Sequence, residues 1–404
     1  MNKGLNKVYN IKYCSVQGTY WLIYAVVASF ASVFLLNRGY TNGQIGMILA
    51  LGNLVTVVLQ PFISDFCDRS KKVSIFGVVA VITLIMTILM TSLFFFDHRG
   101  PGLSLAYIFL IGWMGVVQPL LTSIKFKIEE YNIFVNFGLC RAFGSFTYAI
   151  LCVILGVFVE RWGIGAILVT GEFTVLAFGL SIAVMASVLK RNGHYTEKIS
   201  SAGEIGEETE EITLIDFIGR HKLFFVLMIG VLGVYFTNQT LNNFMLQIVT
   251  NVGGTAKDMG LVFTILALLE IPTMMFFDKL RARFSCQSML KFASICYTLE
   301  IFICHIAPNV EVIMAAQVLQ LFSFGLFMPS MVHMIDEIMD RGEAVKGQGL
   351  YIMVTTITSI VSAVIGGVVI DFLGVHTLTL LSTVITGAGA LMVIFTVDKV
   401  KSNK

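Results

Sequence analysis

NFGLCRAFGSFTY, from Asn136 to Tyr148, opens an apolar run that continues through Leu151, Val153 and Ile154 to Val159. One cation, Arg141, stands inside it. An arginine in hydrocarbon costs from about 2.5 to more than 10 kcal/mol, so it persists only beside a partner or a wet cavity. The candidate partner is Glu270, alone in another apolar run. The two charges read as facing a cavity inside a membrane protein, where they bind a solute that passes through it.

Composition points to the same class. The 404 residues are 56% hydrophobic and 13% charged, with mean hydropathy +0.85. Soluble domains carry roughly 25% charged residues. A net charge of +2 without basic and aromatic clusters gives no reason to expect a nucleic-acid partner. The seven cysteines show no CxxC and no metal spacing, and read as small hydrophobes. No nucleotide-binding loop, nucleophile triad or metal cluster stands out. Neither an enzyme, nor a cofactor, nor transport driven by ATP within this chain is expected. The polar start carries Lys3, Lys7 and Lys12, and the first apolar run lacks a small-residue cleavage site, which predicts an uncleaved first span.

Apolar windows of about 20 residues mark spans. They predict twelve, near 13–36, 43–63, 73–96, 103–124, 137–159, 165–189, 223–249, 258–279, 286–307, 311–334, 346–370 and 377–397. One long connection, holding the acidic GEIGEETEE, separates an N-terminal bundle (1–189) from a C-terminal bundle (223–404) through a central loop (190–222). The predicted fold is an all-α polytopic membrane protein, twelve transmembrane helices in two six-helix bundles. With both termini inside, every Lys and Arg except Arg141, Arg38, Arg99, Arg161 and Lys257 falls on the inner side. That bias predicts a multi-pass cell-membrane protein with both termini and the long loop in the cytoplasm.

The halves repeat. Gly138, Gly156, Glu160 and Gly163 align without gaps onto Gly349, Gly367, Asp371 and Gly374. GQIGMILALGNL before the second span likewise resembles KDMGLVFTILALLE before the eighth. Repeats of the same orientation imply two bundles related by an axis along the membrane normal. In these registers Arg141 meets Ile352 and Glu270 meets Thr56. A scaffold requirement would appear in both halves; these charges appear in one each, which favours a task.

The loop after the second span reads QPFISDFCDRSKK. Asp65, Asp68, Arg69, Lys71 and Lys72 are read as a cytoplasmic gate that latches helix ends by ion pairs. With the spans, the loop and the repeat, this stretch resembles the major facilitator superfamily. That signature has Gly, Asp, a base, Gly and two bases; here Ser64 and Ser70 stand at or near the glycines. Within the superfamily, QPFISDFCDR, FGLCRAFGS, NQTLNNF and LALLEIPTMMFFDKL resemble the lactose-permease-like sugar:proton symporters and the related aromatic-acid and nucleoside symporters.

The resemblance implies secondary active transport by alternating access, with substrate bound midway across the membrane. It implies Arg141 and Glu270 as substrate ligands and Tyr148, seven residues after Arg141, as the aromatic on which a sugar ring stacks. A guanidinium fork and a carboxylate together suit vicinal hydroxyls. The departures are equally plain. Ser123 replaces the permease's helix-4 acid, Leu319 and Phe322 fall near its helix-10 His and Glu, and Asn238 and Ala316 replace an acid–lysine pair. Lactose is therefore not expected to be recognised in the same way.

Glu300 is the other acid inside a span. A desolvated carboxyl holds its proton toward neutral pH, so Glu270 or Glu300 is expected to carry a coupled proton. Asn238 and Asn242 are candidate cavity-lining ligands, or else interhelical hydrogen-bonders. His333 is the histidine to watch; most others fall in loops or at span ends. The expected partners are a polar organic solute, protons and the lipid bilayer, with the chain a monomer. The expected function is proton-coupled uptake of a sugar or similar solute. The rivals are an exporter of amphipathic compounds and a transporter-like sensor that no longer translocates.

Overall fold

The structure, a computed structural model, describes residues 3–69, 73–131, 133–191 and 219–400, and every regular element among them is helical. The central loop (190–222) and the gate residues Lys71 and Lys72 therefore lie largely or wholly outside the described residues. In chain order, α1 runs Lys3–Tyr24, passes through a π turn at Ala25–Ser29 and resumes at Ala31–Asn37. Then come α2 (Asn42–Arg69), α3 (Ile75–Ser92), α4 (Pro101–Glu129), α5 (Phe137–Trp162) and α6 (Gly165–Arg191). The second half holds α7 (Lys222–Asn251), α8 (Ala256–Arg281), α9 (Cys286–Ile306), a divided α10, α11 (Arg341–Leu373) and α12 (Val375–Thr396). Among the described residues ten spans, the divided α10 included, are long and apolar enough to cross a bilayer, and counting each of the two bent pairs, α1 and α8, as one span brings the total to twelve.

The chain forms two compact units, Met1–Ile199 with Thr255–Ala267, and Ser200–Gly254 with Leu268–Lys404. The first part of α8 groups with the first unit because small residues let backbones meet. A Cβ on Gly260 would stand 2.3 Å from the Cys152 carbonyl oxygen, and one on Gly156 would stand 2.9 Å from the Lys257 Cα. Thr264 Oγ1 donates to the Ala149 carbonyl at 2.8 Å in the same contact.

The repeat is built into the backbone. Gly163 and Gly374, aligned in sequence, end α5 and α11 with φ of 75° and 83°. The register that pairs Thr56 with Glu270 also pairs Gly39 with Gly253, at φ 87° and 85°. Only glycine enters this region without a steric cost. In the same register the Thr41 N–H donates to the Gln44 side chain (3.1 Å) and the Thr255 N–H to Asp258 (2.8 Å), closing the first turns of α2 and α8. The bend in α1 falls at Phe30 (φ −95°, ψ 10°) and the kink in α7 at the aligned Phe244 (φ −127°, ψ 22°). Near the α1 bend the buried Tyr107 hydroxyl donates to the Val27 carbonyl at 3.0 Å. Such side-chain donors make irregular turns tolerable in a membrane.

One span departs from its apolar window. The predicted continuous helix at 311–334 is broken: α10 runs Val310–Ala316, tightens to a 3₁₀ turn at Gln317–Leu321, and restarts at Phe324–Ile338. The restart follows Ser323, whose backbone (φ −83°, ψ −91°) is not helical. Hydropathy does not register such a break, because its cause is a set of polar side chains. Thr273 Oγ1 of α8 donates to the Leu321 carbonyl at 2.7 Å and satisfies an acceptor at the break.

Candidate functional site

In the first unit the site grows from the start of α5. Asn136 caps this helix, its side chain accepting from the Leu139 N–H at 3.0 Å. One turn on, the Arg141 guanidinium lies over the Trp21 ring, 3.9 Å from its centroid, and donates to Ser145 Oγ at 2.7 Å. Gly144 makes this possible: a Cβ there would stand 2.4 Å from Trp21 Cδ1. Trp21 also leans on Tyr24 (centroids 5.0 Å apart) and meets Tyr148 edge-on at 6.3 Å. The result is a cation held against an aromatic wall, an arrangement worth about 0.5–2 kcal/mol per cation–ring contact.

Tyr148 does not stand free beside Arg141. It is buried, and its hydroxyl bonds Ser29 Oγ at 2.7 Å. The half-buried ring next to the guanidinium is that of Trp21, on α1. Sequence reasoning passed over Trp21 because aromatics in apolar spans read as packing. The available signal was the cluster Tyr20, Trp21, Tyr24, three aromatics within five residues of the first span.

The second unit carries acids where the first carries the cation. Glu270 is buried on α8 and lies within electrostatic reach of Glu300 on α9 and of Tyr235 and Tyr297. Pro272 follows it, and α8 bends by 47° between Ala256–Thr273 and Met275–Arg281. A proline in a helix removes one N–H donor and crowds the carbonyl four residues back. Glu300 is fully buried and accepts from Ser323 Oγ at 2.8 Å. On α7, Asn242 Nδ2 donates to the carbonyl (2.8 Å) and side-chain oxygen (3.2 Å) of Asn238, a pairing within one helix. Tyr235 and Tyr351 join hydroxyls at 2.5 Å between α7 and α11.

The gate residues divide. Asp65 and Arg69 pair at 2.6 Å within α2, four residues apart and both exposed, so this pair links no neighbouring helix. Asp68 is in the last turn of α2. The second unit does tie neighbours together: Arg281 of α8 meets Glu337 of α10 at 3.0 Å and His333 Nδ1 at 3.1 Å. His333 stacks on Phe277 at 5.3 Å. His221 and Arg220, before α7, both reach Glu343 of α11, at 3.0 and 3.6 Å. Among the described residues no group of three or more His, Cys, Asp or Glu is placed to hold a metal ion.

Repeated halves of membrane-spanning helices, with a half-buried cation in the first and buried acids in the second, suit a membrane transporter. Residues 13–381 match the family described as MFS_1 like, and the chain belongs to it, within the major facilitator superfamily. The chain is 22% identical over 401 residues to the "Uncharacterized transporter YwbF" of Bacillus subtilis (strain 168), covering 97% of this chain and 95% of that one. Its fold resembles the solved nucleoside transporter NupG (TM-score 0.75, 10% identity, 98% and 99% of the two chains). It also resembles an auto-inhibited POT family peptide transporter (0.72, 9%, 96% of each). A third match is a bacterial homologue of the human lysosomal transporter Spinster (0.68, 12%, 99% of each).

Proposed function

We propose that this transporter takes up a sugar or a similar polyhydroxylated solute, such as a nucleoside, by proton-coupled symport. It works by alternating access in the cell membrane, as a monomer with both termini in the cytoplasm. The observation that carries this reading is Arg141, fixed by Ser145 and lying over Trp21. A guanidinium presents several donors to hydroxyl or carbonyl oxygens, while an adjacent ring offers a face to the apolar side of a sugar or base. Glu270 supplies acceptors to the same solute, Asn238 and Asn242 add amides, and Tyr148 holds Trp21 in place. Glu270 or Glu300 carries the proton. NupG is a nucleoside transporter, and a nucleoside falls within the proposed class of solute.

The test is uptake into proteoliposomes under an imposed pH gradient, screening labelled sugars, nucleosides and aromatic acids. One class should accumulate in wild type and fail to accumulate in Arg141→Ala. Failure of every class in both proteins would overturn the symport reading. The alternative, export of amphipathic compounds, is favoured by an apolar cleft of about 570 Å³ among Pro272, Phe276, Phe284, Met289, Phe292 and Phe322. It predicts efflux of such compounds and no accumulation of polar solutes.

A further inference from the structure

Glu300, Gln320 and Ser323 come together at the break in α10, and all three are fully buried. Ser323 Oγ lies 2.8 Å from Glu300 Oε2 and 2.7 Å from the Gln320 side-chain oxygen. A hydroxyl has one hydrogen, so it serves only one of these acceptors. Turning the Gln320 amide by half a rotation changes the pattern. Its nitrogen then donates to Ser323 Oγ at 2.7 Å and to the Glu300 carboxylate at 3.0 and 3.2 Å.

Each orientation is complete for one protonation state. With Glu300 ionised, the amide N–H and the serine hydroxyl both donate to the carboxylate. With Glu300 protonated, its Oε2–H donates to Ser323 Oγ, and the serine hydroxyl donates in turn to the Gln320 side-chain oxygen. The two arrangements differ by one proton on Glu300 and a half-turn of Gln320. The 2.7–2.8 Å separations are hydrogen-bond lengths, closer than oxygens stand around a cation that holds them at 2.3–2.6 Å.

We propose that Glu300, Gln320 and Ser323 form a proton-binding site at the α10 break, with Gln320 the positioning residue whose amide follows the proton. The proposal rests on the proton-coupled reading above and names the site for that proton. The titratable groups facing it are Glu270 from α8, Tyr297, Cys296 and Cys304 from α9, and Tyr235 of α7, which meets Tyr297. From the side of α12, which packs on α9, His376 stands beside His305, and Asp398, just past the helix, pairs with Lys291. The nearer part of α10 contributes amides and a hydroxyl.

The location gives the proton a lever. Gln320 belongs to the 3₁₀ turn, and the next carbonyl, that of Leu321, takes the Thr273 hydroxyl of α8. Thr273 follows Glu270 by three residues and sits at the α8 bend. A half-turn of the Gln320 amide therefore acts where α8 and α10 are tied together.

Infrared titration of the full-length protein in lipid tests this without a substrate. The protonated-carboxyl C=O band should titrate in wild type and lose one carboxyl's amplitude in Glu300→Gln. In Gln320→Leu the midpoint of that component should move by at least about one pH unit, a tenfold change in proton affinity. Ser323→Ala should move it less, and Glu270→Gln should leave the Glu300 component present. Helical circular dichroism and a single elution peak identify the variants that fold; Ser323→Ala stands in if Gln320→Leu does not. A titrating band unchanged in Glu300→Gln overturns the site. So does wild-type titration in both helix-10 variants, or a band displaced by Na⁺ at fixed pH. If no solute is accumulated yet Gln320→Leu moves the band, the uptake reading fails and the site stands. If uptake is proton-driven yet Glu300→Gln leaves the band intact, the site falls alone.

Discussion

The two halves of the chain agree in backbone and disagree in charge. Phe30 and Phe244, Gly39 and Gly253, and Gly163 and Gly374 occupy matching bends, turns and helix ends. At the positions where chemistry would be done, the halves part. Thr56 donates to the Gly112 carbonyl at 3.1 Å and packs α2 on α4, where a Cβ on Gly115 would stand 2.4 Å from its hydroxyl. Its aligned mate is the buried acid Glu270. Arg141 answers to Ile352, an exposed apolar residue. Trp21, which carries the guanidinium, answers to Tyr235, whose hydroxyl is bound to Tyr351. Main-chain geometry must serve every helix of the fold, so it is kept twice. A charge that meets a solute or a proton is needed once.

This contrast can be broken most directly at Arg141. Arg141→Ala removes charge-assisted hydrogen bonds worth about 1.5–3 kcal/mol each, and uptake at low solute concentration should fall by roughly 100-fold or more. Ile352→Ala, at the aligned position, should leave uptake within about twofold, because an exposed apolar side chain rarely matters by more than about 0.5 kcal/mol. Equal losses at both positions would erase the contrast.

At the second charge, Glu270→Gln should cut proton-driven accumulation by about tenfold, the scale of one charged hydrogen bond. Exchange of solute across the membrane should be less affected. Counterflow measured beside pH-driven uptake separates the two. Loss of both to the same degree would make Glu270 a substrate ligand without a coupling role.

Two smaller effects probe the shared backbone. Gly260→Val forces a side chain into the Cys152 carbonyl and should cost about 1–3 kcal/mol of stability, the range for overpacking. Thermal unfolding in detergent reads it. Gly163→Ala and Gly374→Ala should each cost about 1–3 kcal/mol, the range for a side chain placed where glycine alone is at ease. The two losses should match within a few tenths of a kcal/mol. A marked difference would show that one helix end has taken on work the other lacks.

Much of the fold was legible beforehand. Twelve apolar windows locate the helices because hydrocarbon demands about 20 apolar residues per span. The repeat was readable in its glycines, and of the pairs aligned in sequence Gly163 and Gly374 keep a positive φ that tolerates little else. The division of α10 was not legible. Gln317, Gln320 and Ser323 are too few to lower the hydropathy of the window, yet they decide its hydrogen bonding. Nor was the grouping of Thr255–Ala267 with the first unit, because it depends on Gly260 meeting a distant carbonyl. Of the candidate site residues, Arg141 and Glu270 stood out because charge in an apolar span is costly. Trp21 did not, since only the gap left by Gly144 shows that its ring lies beneath the cation.

The paired glycines carry a consequence for descent. A solute can change over generations, and the residues that greet it can change with it. A left-handed turn has no such freedom, because strain follows almost any replacement whatever the cargo. Among relatives that carry different cargoes, Gly39, Gly163, Gly253 and Gly374 should therefore outlast Arg141 and Glu270. The joints would record the ancient doubling of the chain, and the charges its later trade.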